Sequence, residues 1–181
     1  MTYVALLRGI NVGGKNIVKM AELRQMLSGL GFQNVKTYIQ SGNAIFDSTD
    51  TPDNIKEKVL KSFQITFKFE SAIILRTKDE ISKNIASLPF SELETEAAIA
   101  ANPDVEHLYV YFTDDILTDA AVDALNADYG NPDKLYVGQG GVYLLCYESV
   151  RDSKLAAALS KQNISMTARN WKTLNKLLDM M

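Results

Sequence analysis

Arg8-Gly9-Ile10-Asn11-Val12-Gly13-Gly14-Lys15-Asn16 gathers three glycines, two cations and two amides into nine residues. Glycines let backbone N–H groups turn toward one point, and Arg8 and Lys15 add positive charge at either side. Such a loop suits a phosphate or a carboxylate. It is not a P-loop, because the glycine-to-lysine spacing is wrong and no Ser or Thr follows Lys15. The G-x-G-x-x-G spacing of dinucleotide-binding loops is also missing. The plainer reading is a strand-to-helix connection whose glycines only permit turns.

Two further strings carry polar side chains in concentrated form. Gln40-Ser41-Gly42-Asn43 lies between apolar stretches and has the composition of a tight hairpin turn, which needs no ligand to explain it. Its position relative to the first loop is open at this level. In Thr167-Ala168-Arg169-Asn170-Trp171-Lys172-Thr173, Thr167 reads as a helix N-cap, with Trp171, Leu174 and Leu178 as the buried stripe. Arg169 and Asn170 then fall in the first turn, where free N–H groups and the helix dipole favour an anion. An arginine there opposes the dipole, so it breaks a local rule.

Together these strings predict one site for a small anion. Arg8, Lys15 and Arg169 supply charge, Asn11, Asn16, Ser41, Asn43 and Asn170 supply neutral hydrogen bonds, and Gly13, Gly14 and Gly42 shape the backbone. None of these groups titrates near neutrality, so the set suits binding or charge stabilisation rather than proton transfer. No catalytic residue is assigned.

The remaining chemistry is sparse. His107 is the only histidine and Cys146 the only cysteine, which excludes an internal disulfide and a multi-cysteine metal site. His107 opens an alternating strand without a neighbouring acid, and Cys146 lies in an apolar strand, so both read as structural. Asp114, Asp115 and Asp119 could ligate a cation but fit a loop and helix cap equally well. No serine has a histidine partner. No metal and no cofactor is predicted. The longest apolar run, Val142 to Tyr147, is far too short to cross a membrane. The N-terminal residues lack a secretory pattern, and with the cysteine usage this gives a cytoplasmic expectation.

Charge is unevenly spread over the net −3. Residues 1–46 hold five basic residues against Glu22, and residues 151–181 hold six against Asp152 and Asp179. The middle, 47–150, therefore carries −11. Two basic ends around an acidic middle fit ends that meet around something anionic, or merely solvated helix faces.

The elements follow from periodicity and punctuation. Tyr3–Arg8 reads as a buried strand, and Met20, Leu23, Leu27 and Leu30 as a helix stopped by Gly31. Val35–Ile39 and Ala44–Asp47 form a hairpin. Thr51-Pro52 opens a helix through Ile55, Val59 and Phe63, whose end is ambiguous because Phe63, Ile65, Phe67 and Phe69 also alternate like a strand. Ser71–Arg76 is a strand, and Thr77 with Glu80 makes a capping box for a helix ended by Pro89. This strand-helix-strand-strand-helix-strand order is ferredoxin-like, with an antiparallel sheet.

The second half repeats the pattern. It has a helix over 91–101, a strand over 107–113, a helix capped by Thr118, and a hairpin about Gly138-Gln139-Gly140-Gly141. A helix from about Ser153 and a last one after Thr167 complete it. Tyr38–Phe46 lies over Tyr136–Leu144 at a constant offset of 98, which points to a diverged tandem repeat. The expected division is a first ferredoxin-like subdomain over 1–78, a helical connector over 79–104, a second subdomain over 105–165, and a terminal helix over 166–181 packing back on the first.

Val4–Asn16, Thr37–Asn43 and Thr167–Trp171 together resemble a widespread bacterial family known as a domain of unknown function, over essentially the whole chain. The resemblance implies a cytoplasmic α+β protein of two ferredoxin-like subdomains, and it implies no activity, substrate or cofactor.

Three classes of function remain. Binding of a small anionic ligand ranks first. Single-stranded nucleic-acid binding ranks second, because the aromatic glycine-rich signature of RNA-recognition sheets is absent and the acidic middle opposes a polyanion. A protein-interaction module without a ligand ranks third. No membrane partner is predicted, and the sequence fixes no oligomeric state.

Overall fold

The apolar run Thr2–Leu7 (β1) becomes the inner strand of a four-stranded sheet, and from Tyr3 onward it is buried on both faces. The structure, a computed structural model, describes residues 1–181. Following β1 come α1 (Met20–Gly29), β2 (Gln33–Tyr38), β3 (Asn43–Asp47), α2 (Pro52–Phe67) and β4 (Ile73–Thr77). The sheet order is β2-β3-β1-β4, antiparallel throughout. Tyr3, Ala5 and Leu7 point to the helical side, where Leu23, Leu27, Ile55, Val59 and Phe63 close the core. Phe46 stacks on Phe32 at 4.5 Å between ring centroids.

The ambiguous end of α2 resolves as helix. Ile65 is 62% exposed, while Phe63 and Phe67, four residues apart, meet at 4.7 Å on the inner side. Lys68 then ends the helix in the left-handed region and donates its N–H to Gln64 O.

The chain continues as α3 (Lys78–Ala86), α4 (Glu92–Ala101), β5 (Leu108–Thr113), α5 (Asp119–Tyr129), β6 (Lys134–Gly138), β7 (Gly141–Leu145), α6 (Lys154–Ser160), β8 (Met166–Asn170) and α7 (Trp171–Met180). The second sheet runs β6-β7-β5-β8, the same order as the first. Capping fixes the helix starts at the expected places. Thr77 and Glu80 bond reciprocally, Ser91 and Glu94 do the same, and Thr118 accepts from Ala121 N–H.

One expectation fails. Residues 166–170 are not the start of the last helix but its preceding strand, β8, which pairs with β5 from Thr113↔Met166 to Tyr109↔Asn170. Strand β5 would otherwise leave one edge of backbone groups unpaired. The cap of α7 is Asn170, whose Oδ1 accepts the Thr173 N–H at 2.9 Å, in place of Thr167. The second sheet thus draws its fourth strand from beyond residue 165.

The chain divides into two compact units, residues 1–81 with 176–181, and residues 82–175. The last turn of α7 belongs to the first unit, where Lys36 Nζ donates to Met180 O at 3.2 Å. The first unit holds 12 basic and nine acidic residues, the second seven and 13. No helix is long and apolar enough to cross a membrane.

Candidate functional site

The Arg8–Asn16 loop is anchored at both ends by burial. Ile10 and Val18 are 2% and 0% exposed and enter the first unit's core, while residues 12–17 between them are exposed. Asn11 closes the loop from inside. Its Oδ1 accepts the Val18 N–H at 2.8 Å, and its Nδ2 donates to Val18 O at 3.0 Å and Gln40 O at 2.9 Å. Asn16 Nδ2 donates to Gly9 O at 2.9 Å. These two amides therefore hold the loop's own backbone.

The tip is a miniature hairpin rather than a converging N–H nest. Gly13 and Gly14 both have positive φ, 58° and 74°, and Lys15 N–H donates across them to Val12 O at 3.0 Å. Two successive left-handed residues make a type I′ turn, which glycine supplies without steric cost.

The hairpin Gln40–Asn43 does sit beside this loop. Leu7 N–H donates to Gly42 O at 2.8 Å, and a Cβ on Gly42 (φ 83°) would meet Ile10 Cδ1 at 2.9 Å. Asn43 is fully buried and donates to Tyr38 O and Ser41 Oγ, both at 3.0 Å. Before it, Ile39 has φ 47°, a region β-branched residues avoid, yet its side chain is 48% exposed. The Asn11–Gln40 bond fixes the next peptide.

Arg8 has a fixed backbone and a free side chain. Its N–H donates to Ala72 O at 2.9 Å, its carbonyl accepts from Ser71 Oγ at 2.8 Å, and its guanidinium is exposed without a hydrogen-bond or ion-pair partner. Lys15 is likewise exposed and unpaired. The loop thus offers two unneutralised cations on a rigid frame.

Arg169 and Asn170 belong to the second unit and are used differently. Arg169 is 5% exposed and donates to Thr167 Oγ1 at 2.8 Å and Ala168 O at 2.7 Å. Burial lowers its guanidinium to about 10. Asn170 is occupied as the α7 cap. The first unit has a counterpart that sequence reasoning missed. Arg76 on β4 is 6% exposed and donates to the preceding carbonyl, Leu75 O, at 2.7 Å. Each arginine pairs across its sheet with a buried valine, Arg76 with Val4 and Arg169 with Val110. Its sequence signal is the strand order itself, because Arg76 and Arg169 occupy equivalent positions in the two repeats.

The other candidates are structural. His107 is buried, with Nδ1 2.7 Å from Cys146 O and Nε2 2.9 Å from Asn102 O. Burial pushes the Cys146 thiol up to about 12, and Sγ donates to His107 O at 3.3 Å. Asp115 Oδ2 accepts the Ser165 N–H at 3.0 Å. No cluster of His, Cys, Asp and Glu is arranged to hold a metal ion.

A family model described as "Protein of unknown function (DUF1697)" matches residues 1–143. The chain belongs to that family. A solved structure of a conserved bacterial protein from Streptococcus pneumoniae is 31% identical, with a TM-score of 0.72, over 99% of this chain and 97% of that one. The match extends past residue 143 and therefore includes β8 and α7. No curated protein matches the chain.

Proposed function

We propose that the Arg8–Asn16 loop, with the adjoining Ser41–Asn43 turn, binds a small anionic molecule bearing a phosphate or a carboxylate. The observation carrying this reading is that Arg8 and Lys15 stand exposed and unpaired on a loop whose backbone is internally bonded. Cations on a backbone fixed in this way gain charge-assisted hydrogen bonds when an anion arrives, and the ordering cost falls on the two side chains and not on the loop. The first unit's excess of basic residues steers such a ligand. Asn11, Asn16 and Asn43 serve the loop as scaffold. Arg169 and Asn170, as internal partners of β8 and α7, are left out of the binding set.

The test is a thermal-shift series with inorganic phosphate, mononucleotides and sugar phosphates against the wild type and Arg8→Gln/Lys15→Gln. A bound ligand raises the melting temperature in proportion to ln(1 + [L]/Kd). The expected result is a saturable rise in the wild type and its loss in the double variant. Absence of any rise, or an equal rise in the variant, overturns the reading. Binding restricted to single-stranded oligonucleotides, with affinity falling steeply as salt increases, assigns the surface to nucleic acid instead.

A further inference from the structure

A cleft of about 400 Å³ opens in the second unit between α4, residues 103–108 and the start of α7. That volume lies in the range of small-molecule sites, which begin at about 300 Å³. Ile99, Val105, Leu108 and the half-buried Trp171 give it apolar walls, and Ile99 stays 51% exposed. Glu106 and Lys172 also line it, and the Glu106 carboxylate and Lys172 ammonium form neither an ion pair with each other nor a hydrogen bond to any other group, the Glu106 carbonyl alone accepting from Cys146 Sγ at 3.8 Å. The cleft therefore joins an apolar, aromatic interior to one free negative and one free positive group.

From this we infer that the cleft binds a small zwitterion with an apolar side chain, of the chemical class of a free apolar amino acid. The ligand's ammonium faces Glu106, its carboxylate faces Lys172, and its side chain lies against Trp171 and Leu108. A ligand with a single charge satisfies one of the two groups and is opposed by the other, so the pair discriminates against simple acids and simple amines alike. Desolvating the apolar side chain supplies the remaining attraction. This site is independent of the Arg8–Asn16 loop and shares no residue with it.

Trp171 is the only tryptophan in the chain, so its emission reports on the cleft directly. The experiment titrates the full chain with L-leucine, 3-methylbutylamine and 4-methylpentanoate, which share one hydrocarbon body and differ in charge. The expected result is a saturable change in Trp171 emission with leucine, and binding at least tenfold weaker for each singly charged probe. Glu106→Gln should weaken leucine about tenfold while leaving 4-methylpentanoate unharmed, and Lys172→Gln should weaken leucine without harming the amine. Ile99→Asp, at an exposed wall, should abolish leucine binding with no loss of melting temperature. No saturable response to leucine, equal affinity for a singly charged probe, or unchanged leucine affinity in both charge variants overturns the proposal.

Discussion

The two units share one scaffold and differ at one end of it. In each, the central strand pairs the same way with both neighbours: Val4 faces Ile45 and Arg76, and Val110 faces Tyr143 and Arg169. The connection after the central strand is 12 residues long in the first unit, 8–19, and five in the second, 114–118. The following hairpin closes through Ile39–Gly42 in the first unit and through Gln139-Gly140 alone in the second. Chain added at these two places carries Arg8, Lys15 and the strained Ile39, whereas the short second connection carries Asp114 and Asp115. Repeats keep what the core needs, while loops are free to acquire a separate chemistry.

The sharpest contrast lies between the arginines. Arg169→Gln should cost about 3 kcal/mol, because it strips a buried hydrogen-bonded charge from β8 and leaves polar partners unsatisfied. Gly42→Ala should cost a similar amount, about 3 kcal/mol, since the new methyl meets Ile10 at a positive φ. Urea denaturation measures both, and a loss under about 1 kcal/mol in either would break the account of that position.

Each unit also has an asparagine clamp. Asn11 bonds both backbone groups of Val18, and Asn126 does the same for Leu135, accepting its N–H and donating to its carbonyl, both at 2.8 Å. Alanine at either position should destabilise by about 2 kcal/mol. Only Asn11→Ala should also abolish the proposed phosphate response, which separates a scaffold from a site.

A smaller effect is tied to pH in the second unit. Glu94 is held at about 2, first by the Lys134 ammonium at 2.6 Å and then by the Ser91 backbone and hydroxyl. Its folded value lies below the ordinary 4.5, so its contribution is present above that value and is lost as pH falls toward 2. Wild type should therefore exceed Glu94→Gln in melting temperature at pH 7 and converge with it near pH 2. The pair is partly exposed and the difference is correspondingly modest. Smallest of all, Arg8→Gln and Lys15→Gln should shift apo stability by less than about 0.5 kcal/mol, the mark of side chains that hold nothing in the folded state.

Much of this architecture was readable from residues alone. The apolar runs of β1, β3, β5 and β7, the Thr77–Glu80 box and the Thr51-Pro52 and Thr118 starts are local signals, and each element lies where its signal stands. β8 was hidden because Thr167 and Arg169 are polar residues in a buried strand, so no apolar alternation marks it. The repeat offset of 98 holds through β3 and β7 but slips by two residues in β2 and β6, where the first hairpin has its longer turn. In the candidate site the residues were visible and their roles were not. Asn11 looked like a ligand donor because its true partners, Val18 and Gln40, contribute backbone atoms that no side-chain pattern displays.

Cys146 has a practical consequence. It is the only thiol in the chain, fully buried and raised to about 12, so at neutral pH it is almost entirely protonated and shielded from reagents. The natural protein is thus silent toward maleimides and other thiol-directed labels while folded. A single cysteine introduced in place of Lys15, at the exposed tip, becomes the one reactive handle on the molecule. A fluorophore there would watch the first unit's loop while Trp171 reports on the second unit, leaving one optical channel for each.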